Sequence, residues 1–192
     1  RLRTRFHGID VYACGPWSQG PVLSQTLNIL SRFDLKAMGH NSPQYVHTVI
    51  EALKLSFADR HRYYGDPEFV QVPLDVLLSQ AYAAERAKLI RADAAATGLP
   101  AAGEIAGFPP GPKLPPDASG DPRPAADTSY VCAVDRQGNA FSATPSDGSS
   151  ATPVIPGIGL CPSSRGSQCW TDPAVPAVMA PGKRPRLTPN PA

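Results

Sequence analysis

Proline placement divides this chain more sharply than any other feature of its sequence. Of 23 prolines in 192 residues, 18 lie from Pro100 onward. Proline locks φ and donates no amide hydrogen, so helix interiors and central strands exclude such a density. Residues 107–127, with Pro109-Pro110, Pro112, Pro115-Pro116, Pro122 and Pro124, have almost no apolar periodicity and read as a linker. The linker separates a helical first half from a second half of strands and turns. With 42% hydrophobic and 18% charged residues the chain can bury a core, so wholesale disorder is excluded. A net charge of +2 without a clustered basic footprint argues against nucleic acid or an anionic membrane as partner. No apolar stretch has the length of a membrane-spanning helix. The opening Arg1-Leu2-Arg3-Thr4-Arg5-Phe6 is basic but leads into no apolar core or cleavage site, so it is not a signal peptide. The missing initiator Met is what a piece of something longer would show.

The first half carries helical spacing three times. Val22, Leu23, Leu27, Ile29, Leu30 and Phe33 follow Ser18 and Gly20, and Gly39 closes that segment. Ser42-Pro43 predicts a helix start, a capping hydroxyl with proline in the first turn. Val46, Val49, Ile50, Leu53 and Phe57 form its expected buried stripe, and Gly65-Asp66-Pro67 its stop. A third helix is expected from near Pro73 to about Arg91, with Leu74, Leu77, Leu78, Ala81 and Tyr82 turned inward. Ahead of these, Val11-Tyr12-Ala13-Cys14 reads as a short strand. Beyond the linker the period changes. Residues 129–134 and 140–144 are rich in β-branched and aromatic residues, and Asp135-Arg136-Gln137-Gly138-Asn139 between them signals a hairpin turn. Val154-Ile155 and residues 158–161 suggest further strand.

No stand-alone motif fixes the chemistry. Cys14, Cys132, Cys161 and Cys169 lack zinc-ligand spacing and read as small buried hydrophobes or free thiols; their even number also allows disulfides. His40 and His47 have neither helical pair spacing nor carboxylate partners, so no metal is expected. His61, within Asp59-Arg60-His61-Arg62, reads as a solvated histidine at the polar end of a helix. Gly15-Pro16-Trp17-Ser18-Gln19-Gly20 is read as a structural turn, with an anion cradle before a helix N-terminus as the alternative. Lys183-Arg184-Pro185-Arg186 is read as a solvated basic turn, with an acidic ligand as its alternative. Thr128 stands where the linker ends and the first strand of the second half begins. A threonine freed there by cleavage would carry a hydroxyl nucleophile beside its own α-amine as base; a threonine opening a strand is also commonplace.

The order of several short blocks adds a resemblance. Val11-Tyr12 precedes a Pro/Ser/Gly turn and then Gln25-Thr26-Leu27-Asn28-Ile29-Leu30. Phe33-Asp34, Glu51-Ala52, Phe57-Ala58-Asp59-Arg60, Tyr64-Gly65-Asp66-Pro67, Phe69-Val70 and Val72-Pro73 follow. After the linker come Asp127-Thr128-Ser129, Val134-Asp135-Arg136-Gln137-Gly138-Asn139-Ala140 and Lys183-Arg184-Pro185. In this order, and over most of the chain, they resemble the gamma-glutamyltranspeptidase family.

The resemblance implies an α+β fold, part of a four-layer αββα N-terminal-nucleophile hydrolase sandwich, with helices mainly in 1–95 and antiparallel strands from 128 onward. It implies a precursor that cuts itself between Asp127 and Thr128. Residues 1–127 would then be the C-terminal part of a large subunit and 128–192 the N-terminal part of a small one, the two forming a heterodimer. Thr128 would attack a γ-glutamyl amide such as a glutathione-like substrate, and water or an acceptor amine would take the acyl group. Ser146, or Thr144, would assist Thr128; by ungapped counting Ser146 falls where the family has a threonine, and Gly148 where it has an asparagine. Ser163, Ser164 and Arg165 fall in the substrate-binding region. An arginine there suits a carboxylate better than an ammonium, which resembles acylase-type members. Leu187-Thr188 replaces a serine pair that contacts the substrate carboxylate, leaving Thr188. Oxyanion donors and the carboxylate-binding arginine are expected outside residues 1–192. No cofactor or metal is implied, and the family's usual location is periplasmic or extracellular. Two alternatives stay open: a glutaryl- or cephalosporin-acylase-like amidase, and an inactive homologue with a structural or binding role.

Overall fold

The computed structural model describes residues 1–108, 129–144, 152–162 and 170–184. The chain opens with a hairpin of β1 (Leu2–Phe6) and β2 (Ile9–Ala13), antiparallel with Leu2 opposite Ala13 and Phe6 opposite Ile9. His7 and Gly8 join them, both at positive φ (47° and 85°), which suits the right-handed twist of a two-residue connection. The expected strand at 11–14 is thus the second arm of a hairpin whose first arm is the basic opening segment.

Helix α1 (Gly20–Leu30) starts beyond a turn in which Ser18 Oγ donates to Gly15 O and accepts from Gly20 N. A Cβ on Gly20 would run into the Cys14 carbonyl, so the close approach of β2 to α1 demands glycine here. The helix does not continue to Gly39 as the spacing suggests. Asp34 accepts from Ala37 N and begins a separate short helix, α2 (Leu35–Met38). Helix α3 (Pro43–Tyr63) begins where expected, Ser42 accepting from Tyr45 N with proline in the first turn. The segment after Pro73 is two helices, α4 (Leu74–Leu77) and α5 (Gln80–Ala87), because the Ser79 hydroxyl accepts from Tyr82 N and caps a new start.

The buried face of α3 differs from the expected stripe. Val46 and Ile50 are 42% and 46% exposed, whereas Thr48, Ala52, Leu55, Ser56, Asp59 and Tyr63 are buried. Small residues and paired hydroxyls let α1 and α3 approach closely: Thr26 Oγ1 donates to Ser56 Oγ at 2.9 Å. Ile29, Leu30, Ala52, Leu55, Ala83 and Ala87 form one core cluster at this crossing. Val22, Tyr63, Tyr64, Leu77 and Ile105 form the second. On α5 the inward residues are Ala83 and Ala87, while Ala81 faces out.

In the second half β3 (Val131–Val134) pairs antiparallel with β4 (Ala140–Ala143), Val131 opposite Ala143 and Val134 opposite Ala140. The hairpin turn lies where the sequence signals it. No strand forms over 152–162; Ile155 N donates to Leu160 O across a turn with Gly157 and Gly159 at positive φ. Residues 170–184 return to the first half, where Arg184 meets Asp66 and Trp170 meets His61; Trp170 bridges Val178, and Val175 and Ala177 are buried. Among the described residues no helix is long and apolar enough to cross a membrane.

Candidate active site

The residues expected to do chemistry fall mostly outside the described set: Asp127, Thr128, Ser146, Ser163, Ser164, Arg165 and Thr188, as well as Gly148. Thr144 is described, exposed immediately after β4. What the structure describes is a frame of flanking elements, without those positions themselves.

The first part of that frame is the β3–β4 hairpin, which begins three residues after Thr128. Its turn is built on Asp135. The carboxylate accepts from Gln137 N and Asn139 N, both at 2.9 Å, and from Asn139 Nδ2 at 2.7 Å. The Asn139 side chain, aided by these amides, holds the Asp135 carboxyl below its usual range. Gly138 supplies a positive φ of 85°. The signal was local, and so it was readable in the sequence.

The second part is a junction between the end of α3 and residues 170–184. Asp66 is 1% exposed and accepts from Arg184 twice, from its backbone N at 2.9 Å and from Nη2 at 2.6 Å. Nη2 also donates to Glu68 at 3.1 Å, and the guanidinium lies over the Trp17 ring, 4.5 Å from its centroid. The Arg184 hydrogen bond holds the Asp66 carboxyl well below the usual carboxylate range. Lys183 sits 6.0 Å from the Phe69 ring centroid, and burial lowers its ammonium pKa. Val178, Met179, Ala180, Pro181, Lys183 and Arg184 line an open cavity of about 330 Å³. Within the basic turn Arg184 is therefore not merely solvated: its acidic ligand is internal, while Pro185 and Arg186 lie outside the described residues. The sequence had placed Asp66 and Arg184 in separate blocks, and nothing local links residues 118 apart.

A third polar cluster is buried. Asp59 accepts from Gln25 Nε2, from the Tyr82 hydroxyl at 3.0 Å and from Gly103 N at 2.7 Å, with Arg86 Nη2 3.4 Å away. The Tyr64 hydroxyl donates to Gln25 Oε1 at 2.8 Å. Burial raises the Asp59 pKa despite Arg86 and these hydrogen bonds. With its acceptors used on the protein's own donors, this cluster anchors residues 101–105, to which Arg86, Arg62 and Tyr63 also donate. His61 is not in solvent: it is 8% exposed and meets the Trp170 ring edge-on at 6.1 Å.

The other sequence candidates resolve as structural. The turn at 15–20 spends its groups on itself, Ser18 N donating to Gly15 O and Gly20 N to the Ser18 hydroxyl. His47 Nε2 lies 2.7 Å from Arg91 O. Cys132 and Cys161 are exposed free thiols, contrary to the buried reading; Cys14 is half-buried, and Cys169 lies outside the described residues. Among the described residues no group of three or more His, Cys, Asp or Glu could hold a metal ion.

Together, these blocks, helices and hairpin match the family model for gamma-glutamyltranspeptidase over residues 1–192, and the chain belongs to that family. Its relatives include two kinds of enzyme precursor. It is 35% identical over 186 residues to the acylase ACY 1 proenzyme of Pseudomonas sp. (strain SE83), which covers 95% of this chain and 30% of that protein. It is 37% identical over 140 residues to the glutathione hydrolase proenzyme of Escherichia coli (strain K12), covering 72% of this chain and 22% of that protein. Among solved structures, the cephalosporin acylase of Bacillus halodurans superposes with a TM-score of 0.74 at 27% identity, over 98% of this chain and 31% of that one. The chain thus spans about a third or less of the relatives it matches.

Proposed function

We propose that this chain is part of a self-processing amidohydrolase or acyltransferase in which cleavage of Asp127–Thr128 creates the nucleophile. The observation that supports this reading is the family match over residues 1–192, a range that includes residues 127 and 128. Residues 1–127 then belong to a large subunit and 128–192 to a small one, within a four-layer αββα sandwich completed by the rest of the polypeptide. The Thr128 hydroxyl oxygen attacks the substrate amide carbon while the freed α-amine accepts the hydroxyl proton. The C–N bond breaks, that proton passes to the departing amine, and the acyl group remains as an ester on Thr128. Water or an acceptor amine then attacks the ester and regenerates the hydroxyl. Ser146 or Thr144 supports the amine, and Arg165 and Thr188, with Ser163 and Ser164, contact the acyl group. Oxyanion donors come from elsewhere in the polypeptide. Export to the periplasm or medium accords with the family.

The acyl group is a γ-glutamyl or a related dicarboxylic one. The second reading, a glutaryl- or cephalosporin-type amidase, is supported by the wide cover of the acylase relatives and by Arg165, which suits an acid better than an α-ammonium. The deciding experiment is intact mass and amino-terminal sequencing of the full-length protein beside Thr128→Ala. Wild type should yield two chains, one beginning Thr128-Ser129-Tyr130, and the variant one. A single uncut wild-type chain would overturn the mechanism and favour an inactive homologue. Rates on γ-glutamyl and glutaryl anilides then separate the two substrate readings.

A further inference from the structure

Burial in the second segment is confined to one stretch. None of the described residues of 129–144 and 152–162 is buried, whereas Val175 and Ala177 are. Residues 170–184 meet the end of α3 and the turn after it at three points. Trp170 stands edge-on to His61, 6.1 Å between ring centroids. The Pro176 carbonyl comes so near Gly65 that a Cβ there would lie 2.6 Å from its oxygen. At the far end Asp66 accepts from the backbone N of Arg184 at 2.9 Å and from its Nη2 at 2.6 Å. Asp66 is 1% exposed, and within the first segment the described donor to its carboxylate is Glu68 N, at 3.2 Å. Its charge partner comes from the second segment, and a buried carboxylate without its cation is costly.

We propose that residues 170–184 are the segment by which the small chain docks on the large one, with the end of α3 as receptor and Asp66–Arg184 as the polar lock. The inference deepens the reading of Asp127–Thr128 as the cleavage point and rests on it. Each of the three contacts joins a residue before 127 to one after 128, so none depends on that bond. Hydrogen bonds to both the backbone and the side chain of Arg184 fix the register of the docked segment, and the ionised partners strengthen them. At Gly65 the lack of a side chain lets the two backbones close up.

The test uses the full-length, self-cut protein with an affinity tag on the large chain, and reads how much small chain stays bound across a urea series. Asp66→Asn, Arg184→Ala and the double variant are compared with wild type and with Arg3→Ala, which removes an exposed ion pair inside the first segment. Each single junction variant should release the small chain at a urea midpoint lower by roughly half a molar. The double should fall no further than the larger single, because one interaction is being removed twice, and Arg3→Ala should match wild type. Unmoved midpoints in the junction variants overturn the docking role, and so does an equal shift in Arg3→Ala. Simply additive shifts overturn the lock. Arg184 is partly exposed, so Arg184→Ala keeps the comparison if Asp66→Asn does not fold. Wild type that remains one chain overturns the cleavage reading and the docking role together, whereas cut wild type with unmoved variants overturns the docking role alone.

Discussion

At the scale of single residues, the strongest commitment is Asp59. It is fully buried, with Arg86 as its charged partner and hydrogen bonds from Gln25, Tyr82 and Gly103 around it. Removing one member of a buried ion pair leaves the other charge without compensation, which costs about 3–5 kcal/mol. Asp59→Ala should therefore lose stability on that order in urea unfolding. The pH dependence has a definite sign. Burial raises the folded pKa, so across the interval from the ordinary carboxylate range up to that raised value the folded state binds more protons than the unfolded one. Stability from this group is complete below the interval and declines as pH rises through it. The gap between wild type and Asp59→Ala should narrow as pH climbs; a gap that widens would contradict the assignment.

At the scale of elements, the turn closing α3 is a place where two distant segments meet closely. Gly65→Ala would set a Cβ 2.6 Å from Pro176 O and 2.9 Å from Val70 Cγ2. The Pro176 carbonyl cannot yield without moving backbone, so about 1–3 kcal/mol of overpacking is expected, read as a lowered unfolding midpoint. What the sequence disclosed of the elements follows range. The Ser42 cap, the stop at Gly65-Asp66-Pro67 and the Asp135 turn are decided within a few residues, and each lies where the sequence puts it. The breaks at Asp34 and Ser79 were hidden because apolar spacing continues through them while a capping side chain restarts the helix. The facing of α3 was hidden for another reason. Apolar periodicity selects Val46 and Ile50, but α1 offers Gln25 and Thr26 at the contact, so Ser56 and Asp59 turn to it. Of the candidate site, the order of blocks that marks the family was legible; the Asp66–Arg184 contact was not, because it exists only once distant segments meet.

At the scale of the molecule, the described residues leave much apolar surface exposed. Val134 is 74% exposed, Phe141 61%, Ile158 62% and Leu160 64%, and Val46 and Ile50 of α3 are exposed as well. Unpaired strands and open apolar faces seek partners. Residues 1–192 expressed alone should therefore self-associate and lack turnover. Light scattering across a concentration series, with activity compared against Thr128→Ala, checks both; a monodisperse monomer, or turnover well above that control, would contradict the expectation. The Asp66–Arg184 contact has one further consequence. In an uncut polypeptide these two residues, 118 apart in sequence, are tethered, and the tether keeps each at a standing effective concentration near the other. The proposed cleavage at 127–128 would abolish that tether. Partnership that was guaranteed by covalent connection becomes an equilibrium subject to dilution, so a mature pair would be able to come apart where its precursor never could.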